Sequence, residues 1–245
     1  MSDALVLCYH ALSERWPASL SVAPEAFERQ LHLLSRRGFR GATFDRAVSE
    51  PSDRRTVAVT FDDAYLSVLE LAKPILDDVG FPATVFVPTD FPANSGQPMA
   101  WEGIDMWLGG PHERELRPMS WEQLGVLADA GWEIGSHTCS HPRLTSLGDE
   151  ELGRELIDSR SILAERLSRP CDTLAYPYGD HDERVLEATR MAGYGLAGTL
   201  PGRLSPVSRL AWPRVGIYHG DDERRFRLKT SAAIRRLRGS RLWPA

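Results

Sequence analysis

The sequence predicts an α/β fold of parallel strand–helix units, closed into a barrel and forming a single domain. Three observations carry that expectation. Short apolar runs alternate along the chain with amphipathic stretches of helical length, the pattern of β/α units around a parallel sheet. About seven such units fit into the 245 residues, which points to a barrel, with an open doubly wound sheet as the alternative. Residues able to do chemistry stand directly after several of the apolar runs, and a barrel gathers the ends of its strands on one face.

The expected strands cover 4–9, 56–61, 83–87, 132–135, 173–176, 195–198 and 215–218. A helix is expected over 24–37, with Pro24 in the first turn, Phe27, Leu31 and Leu34 on one face, and Gly38 as the stop. A second covers 68–79 and ends at Gly80. Ser120 and Gln123 form a capping box for a third, which runs to Ala130 before Gly131. Over 149–167, Leu152, Leu156, Leu163 and Leu167 fall on one stripe. Helices over 182–192 and 222–237 complete the set. The segment 88–119 has no clear periodicity but carries Trp101 and Trp107, and a loop that long is more often functional than accidental. Its tryptophans either stack on a sugar ring or fasten the loop to the body.

With no linker, low-complexity block or repeat, the domain spans 1–245, with a core of about 4–237 and a basic C-terminal helix or tail over 221–245. A net charge of −5 argues against a nucleic-acid partner. The start Met1-Ser2-Asp3 lacks a signal-peptide pattern, no apolar stretch approaches the length of a membrane span, and the cysteines are only three. Taken as a native start, these features give a cytoplasmic expectation. The 221–245 stretch holds eight Lys or Arg against three acids, with Phe226, Leu228, Ile234, Leu237, Leu242 and Trp243 interspersed. Such a tail either touches an anionic membrane surface weakly or packs its apolar side on the barrel.

The most informative residues are Asp62-Asp63, at the end of the run 56–61, and His137-Thr138-Cys139-Ser140-His141, after the run 132–135. Alone, an Asp-Asp pair is usually a turn or helix cap. Two imidazoles four apart share a face only on a helix, and Ser136 and Pro142 argue for a loop. Together the two motifs supply one carboxylate and two imidazoles for a divalent cation, leaving an open position for water. The second carboxylate is then free to act as a base. Cys139 is a less suitable ligand, because a His-Cys-His cluster cannot easily wrap one ion.

Thr60-Phe61-Asp62-Asp63 and His137-Thr138-Cys139-Ser140-His141 resemble the Thr-Phe-Asp-Asp and His-(Ser/Thr)-x-x-His motifs of the NodB-like polysaccharide deacetylases, carbohydrate esterase family 4. Ala175-Tyr176-Pro177-Tyr178-Gly179 is similar to the third motif, Arg-x-Pro-Tyr, without its Arg. The resemblance runs from about Leu5 to about Phe226 and implies a distorted (β/α)7 barrel. It implies Asp63, His137 and His141 as metal ligands, Asp62 as base, and the backbone N–H of Tyr178 as a donor to the oxyanion. In the family the motif Arg holds the base; here Arg214, in Trp212-Pro213-Arg214, is the candidate to supply that charge. Pro177 and Trp212 are expected beside it among the substrate-binding residues.

Amide hydrolysis also needs an acid for the departing amine. Of seven His, two are spoken for as ligands, His32 lies in a helix and His112 in the long loop. His10, His181 and His219 remain. His219 matches the family's usual C-terminal position. Tyr9-His10-Ala11-Leu12 resembles the N-terminal Tyr-His segment of a subgroup acting on poly-N-acetylglucosamine, and His10 is the preferred acid. The expected activity is therefore metal-dependent hydrolysis of an N-acetylated amino sugar, releasing acetate. The ion is expected to be Zn2+, with Co2+, Ni2+, Fe2+ and Mn2+ also suited to the ligands. Two rivals are an amidohydrolase acting on a non-sugar C–N bond and a non-catalytic glycan-binding barrel.

Overall fold

The computed structural model describes residues 4–50, 54–201, 204 and 207–240. The first strand, β1 (Leu5–Tyr9), is followed by two short strands, β2 (Ala11–Leu12) and β3 (Ser21–Val22), which pair only with each other. Next come α1 (Pro24–Arg36), β4 (Arg40–Ala42), α2 (Phe44–Ser49), β5 (Thr56–Phe61), α3 (Lys73–Val79) and β6 (Thr84–Val87). The second half holds α4 (Trp121–Asp129), β7 (Glu133–Ser136), α5 (Asp149–Leu167), β8 (Thr173–Ala175), α6 (Glu183–Met191) and β9 (Leu196–Thr199). The last elements are β10 (Trp212–Pro213), β11 (Val215–Gly216), α7 (Glu223–Lys229) and α8 (Ala232–Arg238). Among the described residues no helix is long and apolar enough to cross a membrane.

The main sheet is parallel throughout, in the order β10-β9-β8-β7-β6-β5-β1-β11, with β4 beside the first half of β5. The strand expected over 215–218 lies earlier and in two pieces. Its first half pairs with β9 (Trp212 with Gly198) and its second half with β1 (Val215 with Leu7). One passage of chain thus bridges the sheet's two edges and almost closes it, a distorted barrel rather than the open alternative. Arg214 sits where the passage changes partners.

Side chains alternate across each strand. Leu5, Leu7 and Tyr9 of β1 and Val57, Val59 and Phe61 of β5 join Leu31, Leu76, Leu127 and Leu156 in the layer between sheet and helices. Val6, Ala58, Phe86, Ala175 and Leu196 form the barrel interior with Trp212 and with Phe44, Ala47 and Val48 of α2. α2 and β4 were absent from the sequence expectation. The Phe44 N–H donates to Thr84 Oγ1 (2.8 Å) and the Asp45 N–H to Glu133 Oε2 (3.0 Å), which seats α2 at the starts of β6 and β7. It therefore plugs the N-terminal end of the barrel and leaves the C-terminal end open.

Two glycines make room inside. A Cβ on Gly135 would lie 2.6 Å from the Phe86 ring, and one on Gly198 would lie 2.8 Å from Arg214 Cδ. Two helices depart from expectation. Residues Val68–Ala72 form a π-helical turn ahead of α3, because Pro74 has no N–H and its ring crowds the carbonyl four residues back. The stretch 222–237 breaks into α7 and α8 at Thr230-Ser231, where Thr230 Oγ1 donates to the Phe226 carbonyl (2.8 Å) and Ser231 turns extended. Phe226 is buried in the core, whereas Leu228 and Leu237 are exposed. Leu242 and Trp243, the end of the expected basic tail, lie outside the described residues.

Candidate active site

Each expected reactive residue continues a strand onto the open end of the barrel. Cys8 and Thr60 occupy the last inward layer of β1 and β5, so His10 and Asp62, two residues further on, also point inward. Asp63 would face outward in an extended chain, but its φ of 69° turns the backbone back toward the axis. Thr138, His141 and Tyr178 are likewise held at positive φ. Non-glycine residues rarely adopt this conformation, and its concentration here marks a built site. His10, Asp62, Asp63, His137, His141 and Tyr178 line one cleft of about 350 Å3.

Asp62 is held by a forked ion pair. Arg214 Nη1 donates to Oδ1 at 2.6 Å and Nη2 to Oδ2 at 2.8 Å, and neither side chain is more than 2% exposed. The Cys8 thiol also donates to Oδ2, at 3.3 Å. Burial alone would raise the Asp62 carboxyl, but the guanidinium outweighs it and holds the group well below the usual carboxylate range. Arg214 reaches this position because β10 and β11 part beside it and Gly198 leaves space for its stem.

Asp63, His137 and His141 converge with ligand atoms within 4.8 Å of one another. Asp63 Oδ1 lies 3.3 Å from His137 Nε2 and 3.4 Å from His141 Nε2, yet this buried oxygen has no hydrogen-bond partner. An oxygen and two ring nitrogens facing one another without bonding suit a cation about 2.0–2.2 Å from each. His137 Nδ1 donates to the Ala175 carbonyl (2.7 Å), which turns the Nε2 lone pair toward that point. Burial pushes His141 down to about 3, so its ring is neutral and able to ligate. The donor set therefore fits a divalent ion. His10 Nδ1 is also buried without a partner, and a His10 nitrogen, Cys8 Sγ and an Asp62 oxygen lie within 4.8 Å of one another.

A family model described as polysaccharide deacetylase matches residues 49–197. The chain belongs to the polysaccharide deacetylase family. It is 28% identical over 207 residues to the Bacillus subtilis protein YxkH, covering 82% of this chain and 66% of that protein. It is 24% identical over 204 residues to a Staphylococcus aureus poly-beta-1,6-N-acetyl-D-glucosamine N-deacetylase, covering 77% of this chain and 65% of that one. The chain thus spans just under two thirds of the length of these relatives. In fold it is similar to the Streptococcus pyogenes deacetylase PplD, with a TM-score of 0.76 and 22% identity over 93% of this chain and 98% of the other.

Within this polysaccharide deacetylase fold, sequence reasoning missed Glu155. From α5 its carboxylate accepts from the Cys139 N–H (2.7 Å), the Ser140 N–H (3.0 Å) and Ser140 Oγ (2.6 Å), so it braces the loop between the two histidines. The only available signal was an acid on an amphipathic helix, which looks like a solvated face. Cys139 directs its thiol at the Glu155 carbonyl, and burial pushes that thiol up to about 12.

Other expected residues lie elsewhere. Trp212 packs at the plugged end of the barrel with Phe44, Val48 and Phe86, away from the cleft, because inward positions of β10 reach the floor. Pro177 is buried and does not line the cleft; it sets the turn that presents Tyr178. His219 is exposed, and its backbone N–H donates to the Ser19 carbonyl. The His181 ring stacks on Tyr176 (5.0 Å). Trp107 meets Trp16 edge-on and fastens the long loop, while Trp101 stacks on His141 with centroids 4.3 Å apart.

Proposed function

We propose that the chain is a metal-dependent carbohydrate N-deacetylase that hydrolyses the N-acetyl group of an amino sugar to acetate and a free amine. The observation that carries this reading is the three-ligand cluster of Asp63, His137 and His141 beside a second carboxylate, Asp62, held apart from it by Arg214. A bound divalent cation would polarise the acetyl carbonyl and acidify a water, which is the chemistry an amide needs. The S. aureus relative, named for poly-beta-1,6-N-acetyl-D-glucosamine, supports an N-acetylated saccharide as substrate.

The remaining work falls to the chain. Asp62 takes the proton of the attacking water, and Arg214 keeps that carboxylate ionised and aimed. The Tyr178 N–H, presented by a left-handed backbone, donates to the acetyl oxygen as charge builds on it. His10 gives a proton to the departing nitrogen, because an amine anion is too basic to leave unaided. Its place in the cleft beside Asp62, against the exposed position of His219, supports His10 for that role.

The test compares Asp62→Asn with Asp63→Asn for bound metal and for acetate released from N-acetylglucosamine oligomers. Asp62→Asn is expected to keep metal and lose most activity, whereas Asp63→Asn loses the metal. Equal metal loss in both would contradict this division of roles.

A further inference from the structure

One stretch of the long loop forms a wall of the cleft. Trp101, Glu102, Gly103 and Ile104 line it, together with Ser19, Leu20, Leu200 and Tyr218. Both ends of this strap are fixed. Ile104 is buried, and the Trp101 ring lies on His141 (4.3 Å, 25°) with its edge against Phe91 (5.2 Å). Glu102 is the bolt between them. Its carbonyl accepts from Tyr178 Oη at 3.0 Å, and its carboxylate accepts from Arg143 Nε at 3.0 Å. Arg143 in turn lies 4.2 Å over the Tyr178 ring. The strap is therefore tied both to the loop after β7 and to the loop after β8.

We propose that this strap makes the cleft a pit that receives the end of a saccharide, and that Glu102 and Arg143 exclude the interior of a polymer. The inference rests on the deacetylase reading and narrows its substrate. An interior unit must have open cleft on both sides for the chain to run through. Here one side is shut by a segment tied to two different loops. The volume, about 350 Å3, lies at the small end of the ~300–1,000 Å3 typical of small-molecule sites. It suits one or two sugar units, and an adjoining hollow of about 510 Å3, which shares Leu200 and Tyr218 with the cleft, can take further units on a side that no strap residue lines. The Glu102–Arg143 pair is itself exposed (72% and 48%), so it can be removed without disturbing the core, and Tyr178→Phe removes the strap's second tie while keeping the Tyr178 N–H.

The experiment uses β-1,4- and β-1,6-linked N-acetylglucosamine from monomer to hexamer, with the full chain loaded with metal. Acetate is measured, and free amines are located by tandem mass spectrometry. The wild type is expected to deacetylate a terminal unit only, whatever the length of the oligomer. Arg143→Ala, and more fully Arg143→Ala combined with Tyr178→Phe, are expected to yield interior amines. Interior deacetylation by the wild type, or a terminal-only pattern that survives in both variants, overturns the proposal while leaving the deacetylase reading intact. No acetate from any saccharide, with metal bound and the fold preserved, overturns the deacetylase reading and this proposal with it.

Discussion

Arg214 Nη1 and Nη2 grip the two carboxylate oxygens of Asp62 at 2.6 and 2.8 Å, from a strand that changes partners at Arg214 itself. A fork–fork pair fixes the orientation of the carboxylate as well as its charge. The family motif places an Arg at the position of Ala175, which here is a small interior residue of β8. The guanidinium instead arrives from the closing passage of the barrel.

Breaking this pair from one side is expected to be costly. Arg214→Met leaves Asp62 buried without its cation and should reduce unfolding free energy by about 3–5 kcal/mol. Combining it with Asp62→Leu should recover much of that loss, because no unpaired charge remains, while activity stays absent. Urea denaturation of the single and double variants measures both. A single-variant loss below about 1 kcal/mol, the worth of a surface pair, would contradict the buried-pair account.

Glu155 gives a second prediction. It touches none of the proposed ligands, yet it satisfies two backbone N–H groups between them. Glu155→Ala should weaken metal binding by roughly 10- to 100-fold, as losses of supporting hydrogen bonds around ligands do. Competition with a chromophoric chelator reads the affinity, and circular dichroism confirms that the helix remains. Unchanged affinity would show that the loop holds its shape without the brace.

The acid assignment has its own test. His10→Ala should depress turnover on an N-acetyl sugar by roughly 10^2 to 10^4, the usual worth of positioned acid–base help. An activated aryl ester, whose leaving group needs no proton, should be spared most of that loss, and metal content should not change. His219→Ala should alter neither rate selectively. If His219→Ala gives the selective amide defect and His10→Ala behaves as wild type, the roles are reversed.

The sequence disclosed the parts of the fold that repeat and the parts of the site that are contiguous. Strands with β-branched runs, helices with Gly stops, and Asp62-Asp63 and His137/His141 at strand ends could all be read locally. What stayed hidden depends on contacts between distant segments. β4 and α2 are short and show no clear period; α2 exists because Phe44 and Val48 fill the barrel floor. The split of the last strand depends on which neighbour each half meets, and an apolar run cannot tell β9 from β1. Trp212, expected among the substrate-binding residues, stands two residues before Arg214, and that spacing puts it one layer deeper on the same inward face. The Glu155 brace joins residues fifteen and sixteen apart across a loop and a helix, a contact with no local signature.

Metal removal and return tests the central claim most directly. The protein is stripped with a chelator, acetate release from N-acetylglucosamine oligomers is measured, and Zn2+ or Co2+ is titrated back. The stripped protein is expected to be folded and inactive, with activity rising to a break at about one ion per chain, as for one three-ligand site. His137→Ala and His141→Ala should fail to recover at that stoichiometry. Full acetate release by metal-free protein, or restoration in either histidine variant at one ion per chain, would contradict a hydrolytic site built on Asp63, His137 and His141.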